Sequence, residues 1–181
     1  MRIAPLAFLL DPGSAADRVI VRDVSRITHH SDEAYAGALA VMTAVRLSAV
    51  TGFVPEDLLS RVSCELPDTR VRDRLLELLA VDQAPEVVAT RFGTSGYVVE
   101  AVPLALLVAV QSRASSLAAV IGRAVALGGD TDTIASIAGQ IVGASGVEVP
   151  QDLLQRIPGI ADVESVVAQF VAQVVGRHTL G

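Results

Sequence analysis

Two aspartates set two residues apart, flanked by glycine and threonine, are the residues of this chain best suited to chemistry. In Gly128-Gly129-Asp130-Thr131-Asp132-Thr133, the carboxylates of Asp130 and Asp132 and the hydroxyl of Thr133 gather hard oxygens within about one helical turn. Hard oxygen donors suit Mg²⁺, Mn²⁺ or Ca²⁺ rather than zinc. The glycines permit a sharp backbone turn and leave room beside the carboxylates. The same residues also suit an ordinary helix start, since an acid near a helix N-terminus stabilises it by about 0.3–1 kcal/mol. Spacing alone leaves both readings open.

Two further segments carry polar chemistry. Thr28-His29-His30-Ser31-Asp32-Glu33 holds two of the three histidines and precedes an apolar helix. A helix N-terminus favours anions and neutral imidazole, so His29 there could meet a phosphate or a sugar, or simply belong to a capping segment. In Arg91-Phe92-Gly93-Thr94-Ser95-Gly96-Tyr97-Val98-Val99-Glu100, a Gly-x-x-Gly loop with two hydroxyls leads into a helix. Such a loop can aim backbone N–H groups at a phosphate, and the Tyr97 ring could stack on a base or ribose. A plain inter-helix turn has the same pattern. Cys64 has no histidine near it in sequence and reads as structural. The spacing singles out no general acid or base.

The elements that must position these residues are helical almost throughout. Val163, Val166, Val167, Phe170, Val171, Val174 and Val175 recur at i, i+3, i+4, i+7. Val71, Leu75, Leu78 and Leu79 form a stripe bounded by charge, the mark of a surface helix with one buried face. Residues 34–50 are apolar or small nearly all round, as expected of a buried helix, with Gly37 allowing close helix contact. Residues 134–142 carry the same expectation. Ser31 and Gly52 mark the ends of the 34–50 helix. Pro55, Pro85 and Pro150 suit first turns, and Gly128-Gly129 ends a helix begun near Ser115 or Ser116. No segment alternates with period two long enough for a strand; Val19-Ile20-Val21 is the best candidate, but it is short and lies in a helix-compatible stretch. The expected architecture is a single all-α domain over residues 1–181.

Composition narrows the function. A chain of 181 residues, 51% hydrophobic and 19% charged, can bury a substantial core and is not intrinsically disordered. A net charge of −6 argues against a nucleic-acid grip, which needs a basic patch. All 14 basic residues are arginine. The uncharged runs 101–112 and 133–147 fall short of the roughly 18–20 residues of a spanning helix, so no membrane partner is expected. One cysteine cannot close an internal disulfide, and a cytoplasmic location is expected. Arg2 and the apolar residues after it faintly suggest a secretory leader, but Pro5 interrupts the stretch.

Taken together, the chain resembles the ADP-ribosylglycohydrolase family, which includes the dinitrogenase-reductase-activating glycohydrolases. The matching stretches are Met1-Arg2-Ile3-Ala4-Pro5-Leu6, Ser25-Arg26-Ile27-Thr28-His29, the segment from Gly93 to Glu100, and the segment from Gly128 to Gly139. The resemblance implies an all-helical fold, two divalent cations, usually Mg²⁺ with Mn²⁺ possible, and hydrolysis of a bond joining ADP-ribose to a protein side chain or small molecule. It implies Asp130, Asp132 and Thr133 as metal ligands, with Asp130 bridging the ions. His29, Gly93, Thr94, Ser95, Gly96 and Tyr97 would line the ADP-ribose site. In the family, a Gly-Asn-Gly segment precedes the Met-Arg-Ile-Ala-Pro-Leu stretch, and a Thr-Asp-Asp element further upstream supplies the other metal ligands. This sequence therefore resembles the C-terminal portion of a family member. Asp32 and Glu100 are the carboxylates that could substitute for the upstream ligands. Without an upstream portion, the 34–50 helix is expected to expose apolar surface and promote association. The alternative is a helical member that keeps the fold without the chemistry, as the jellyfish J-type crystallins do, or one that binds ADP-ribose without cleaving it.

Overall fold

The computed structural model describes residues 3–51, 54–81, 83–112 and 116–178. Among them every regular element is helical, so Val19-Ile20-Val21 is not a strand. Those residues lie inside α1 (Ala15–Arg26), where Val21 is fully buried and Val19 and Ile20 face outward. A three-residue apolar run is too short to distinguish the two periods, and the helix cap at Ser14 decides it. The helix stop expected at Gly52 lies outside the described residues, as do Met1, Arg2 and Ser115.

The chain divides into two units, Met1–Glu148 and Val149–Gly181. The first contains α1, α2 (Asp32–Ser48), α3 (Leu58–Glu65), α4 (Arg70–Ala80), α5 (Pro85–Phe92), α6 (Val98–Gln111), α7 (Leu117–Ala126) and α8 (Thr131–Ala144). The second contains α9 (Gln151–Leu154) and α10 (Ile160–His178), which carries the valine stripe.

Within the first unit, α2, α6 and α8 pack on one another, with α1 and α3 against α2, α4 and α5 against α6, and α7 against α8. Residues 36–45 of α2 and 101–109 of α6 are buried on every side. The expected apolar exposure of α2 is therefore corrected: α1, α3, α4, α6, α8 and the 3₁₀ turn Ala4–Phe8 surround it. That turn contributes Ile3, Ala4 and Ala7 to the core, and Arg46 of α2 donates to the carbonyls of Ala7 and Leu10. The expectation for 134–142 also changes. α8 buries Ile134, Ile137, Ala138, Ile141 and Val142, while Ser136 is exposed and Gln140 half-buried. Small and polar residues on its outer side leave it a one-faced helix.

Local signals set the ends of these helices. The hydroxyls of Ser14, Ser31 and Ser116 accept from the N–H groups of Asp17, Ala34 and Ala119, each cap worth about 1 kcal/mol. Pro85 opens α5, whereas Pro55 opens only a 3₁₀ turn, Pro55–Asp57, and Pro150 sits at the cap of α9. α4 is capped from a distance. Both carboxylate oxygens of Glu33 on α2 accept its first N–H groups, from Arg70 at 3.1 Å and Val71 at 3.2 Å. An acid at that end satisfies orphan donors and opposes the helix dipole.

Gly37 lets α2 approach α6 closely. A Cβ built there would stand 2.2 Å from Cγ2 of Val98. Alanine would gain about 1 kcal/mol of helix propensity at this position. It would also force the Val98 side chain or the helices apart, an overpacking cost of about 1–3 kcal/mol. Gly37→Ala is expected to lower the urea midpoint without changing the slope. A midpoint at or above that of the natural chain would show that the contact is not limiting.

Candidate functional site

The loop before α6 and the loop before α8 meet. The Asp130 N–H donates to the Thr94 carbonyl at 2.7 Å. Gly129 has a φ of +70°, and a Cβ there would lie 2.2 Å from the Thr94 carbonyl oxygen and 2.1 Å from its hydroxyl. Backbone cannot yield as a flexible side-chain tip does, so only glycine fits on both counts. On the other side of the contact, a Cβ on Gly96 would stand 2.6 Å from Oδ2 of Asp130. The Asp130 carboxylate therefore lies directly against the backbone of the 93–97 loop.

Asp130 occupies the cap position of α8 but makes no side-chain cap hydrogen bond. The Asp132 carboxyl is held below the ordinary carboxylate range, first by a hydrogen bond with the Asp130 side chain and then by the Thr133 N–H. Asp130 and Thr133 are half-buried and Asp132 is exposed. Two carboxylates two residues apart offer hard oxygens of the kind a divalent cation takes. Among the described residues no three His, Cys, Asp or Glu side chains gather as a metal-holding group. The oxygens of Asp130, Asp132 and Thr133 suit a hard cation in kind, and make part of a coordination shell.

Glu100, a candidate for completing that shell, is engaged elsewhere. Its Oε2 accepts from the Ser95 N–H at 2.9 Å and the Ser95 hydroxyl at 2.8 Å, and the same hydroxyl accepts from the Tyr97 N–H at 3.2 Å. Gly93, with a φ of +94°, passes so close that a Cβ would stand 2.4 Å from Oε2. Glu100 thus folds the loop around one carboxylate. Asp32 is exposed in the first turn of α2.

The helices that feed the two loops are tied together. α5 leads into Gly93 and α7 into Gly128, and Arg123 of α7 makes a two-pronged pair with Glu86 of α5, at 2.9 and 3.1 Å. The Glu86 carboxyl lies below the ordinary glutamate range, chiefly because of the Arg123 hydrogen bonds. Three arginines flank the aromatic residues beside the 93–97 loop. Arg74 lies 3.7 Å and Arg91 4.6 Å from the Phe92 ring centre. Arg70 lies 5.5 Å from that of Tyr97 and donates from Nη1 to its hydroxyl at 3.0 Å.

Of the residues singled out in the sequence, Gly93, Thr94, Ser95, Gly96 and Tyr97 share one loop, and its contacts with Gly129 and Asp130 bring Asp132 and Thr133 to the same place. His29 is exposed at the end of α1, where its Nδ1 is 2.8 Å from the Thr28 hydroxyl and its N–H donates to the Ser25 carbonyl. Cys64 is exposed with a free thiol. The Glu33, Arg70, Glu86 and Arg123 contacts span 27 or more residues, and no local motif marks them.

The sequence model of the family described as ADP-ribosylglycohydrolase matches residues 1–179. The chain belongs to that family. An uncharacterized protein of Archaeoglobus fulgidus is 28% identical over 160 residues, which are 87% of this chain and 52% of the relative. The chain thus spans about half the length of the curated relative it matches. No helix among its described residues is long and apolar enough to cross a membrane.

Two predictions concern the frame of the site. Glu100→Ala is expected to speed hydrogen exchange at the Ser95 amide by about tenfold or more, the loss of a charge-assisted bond worth roughly 1.5–3 kcal/mol. Unchanged exchange would mean the loop holds its shape without the carboxylate. The Glu86–Arg123 pair is half-exposed, so it contributes at most about 1 kcal/mol after solvent screening. Because the folded state lowers the Glu86 pKa, that contribution is full above the ordinary glutamate range and is lost as pH falls through the lowered value. The stability difference between the natural chain and Glu86→Gln should therefore be present at neutral pH and vanish under acid, as urea midpoints at several pH values would show. A pH-independent difference would assign the effect to packing.

Proposed function

We propose that this chain forms one side of the active site of a glycohydrolase that removes ADP-ribose from a modified protein side chain or a small-molecule conjugate. The observation that carries the reading is the position of Asp130. Its carboxylate is not used as a helix cap, stands two residues from that of Asp132, and lies against Gly96 of the 93–97 loop. Family membership supports the same reaction class.

In this reading Asp130, Asp132 and Thr133 hold divalent metal, Mg²⁺ or Mn²⁺, from the α8 side. Two such ions carry four positive charges against two from the aspartates, so the remaining ligands come from the upstream elements that the resemblance implies. The bound metal would orient the ribose hydroxyls, lower the pKa of a bound water and stabilise charge on the departing group. The chain's own part is to place donors. The 93–97 loop offers backbone and hydroxyl groups to ADP-ribose, and Tyr97 offers a ring for stacking. Glu100 fixes that loop, and the Asp130 N–H to Thr94 bond fixes its register against the metal ligands. His29 is proposed as a further contact from the segment before α2. A soluble cytoplasmic protein without a nucleic-acid partner remains the setting proposed for it.

Calorimetry of this chain with Mg²⁺ and Mn²⁺ tests the metal half. The expected result is weak binding that Asp130→Asn abolishes while circular dichroism stays unchanged. No heat at millimolar metal would overturn the retained half-site. Titration with ADP-ribose, followed by NMR, should shift the Gly96 amide and the Tyr97 ring. Binding without hydrolysis in a chain that includes the upstream elements would turn the assignment to an ADP-ribose-binding protein.

A further inference from the structure

The Tyr97 ring is set by a relay that begins 64 residues earlier in the chain. Glu33 on α2 accepts the N–H groups of Arg70 and Val71 and so fixes the first turn of α4. From that turn the Arg70 side chain reaches the 93–97 loop. Its guanidinium sits 5.5 Å from the Tyr97 ring centre and donates to the hydroxyl at 3.0 Å. The other end of Tyr97 is held by its backbone N–H on the Ser95 hydroxyl. The ring is thus held at its hydroxyl by Arg70 and the backbone beneath it by Ser95, although 40% of the residue is exposed. An exposed tyrosine would otherwise sample several χ1 wells.

We propose that Arg70 is a positioning residue for Tyr97 and that Glu33, by fixing the start of α4, positions Arg70. The inference rests on the proposal that Tyr97 faces ADP-ribose. Holding the ring before the ligand arrives removes the cost of ordering it on binding. The arrangement is specific to a planar donor that reaches an oxygen and the edge of a ring together. It also links the Thr28–Glu33 region of the sequence to the 93–97 loop through α4, a connection neither segment shows alone.

The test has two arms, both on the full chain. The first reads position without ligand. Tyr35 and Tyr97 are the only tyrosines and tryptophan is absent, so their ring NMR signals are separable, with half-buried Tyr35 as the internal control. Arg70→Gln should move the Tyr97 ring signals and leave those of Tyr35 in place. Glu33→Gln should move them in the same direction by less, and Arg70→Lys, which keeps a donor, should restore part of the shift. Tyr97 signals unchanged in Arg70→Gln would overturn the proposal.

The second arm reads the ligand. Arg70→Gln and Tyr97→Phe are each expected to weaken ADP-ribose binding about three- to tenfold, and the double variant no more than the weaker single. Losses that multiply in the double variant would overturn the coupling. If the natural chain does not bind ADP-ribose, the ligand reading fails, while the ring signals of the first arm still decide whether Arg70 positions Tyr97.

Discussion

Everything that brings the candidate site together passes through one contact, the meeting of Gly129 with Thr94. A helix bundle can present two loops side by side without their touching. Here the left-handed backbone at Gly129, and its missing Cβ, let the α8 entry drop onto the Thr94 carbonyl. The Asp130 N–H then bonds that carbonyl, and the Asp130 side chain falls against Gly96. The buried α6 and the inner face of α8 pack together behind the loops, and the Glu86–Arg123 pair joins the helices that lead into them. Each is a condition for the contact, and the contact is the condition for placing hard oxygens beside a ligand-facing loop.

The fold was largely legible because helical periodicity is a strong signal and serine caps mark the starts of α1, α2 and α7. Ser31 caps α2 as its position suggests, and Gly37 meets α6 as its presence in a buried helix implies. The errors share one cause. Over residues 134–142, apolar content in a short window does not separate burial on one side from burial on all sides. The surface of α2 was judged without knowing how many neighbours it has. That information is tertiary, and ten residues of α2 are covered by elements drawn from six places in the chain.

The site was legible to the extent that its residues are local. The 93–97 loop and the 128–133 segment each read as polar turns before helices, and the resemblance paired them. Glu100 is a possible metal ligand by residue type alone, and in the fold its Oε2 takes two bonds from Ser95. A carboxylate five residues after a Gly-x-x-Gly loop is well placed to fold back on it, and that is the signal that could have been used. Arg70 gave none. Its value comes from α4 starting where Glu33 stops it, which no spacing rule contains.

The bond between Asp130 and Thr94 joins main chain to main chain. A join of that kind is indifferent to side-chain identity at both residues. Selection can therefore exchange the carboxylate or the hydroxyl and keep the two loops docked, provided the glycine beside them stays. Architecture and reactivity are written in different alphabets at this spot. A lineage built this way could shed its chemistry by single substitutions and still pass on the same scaffold, or regain the chemistry without refolding.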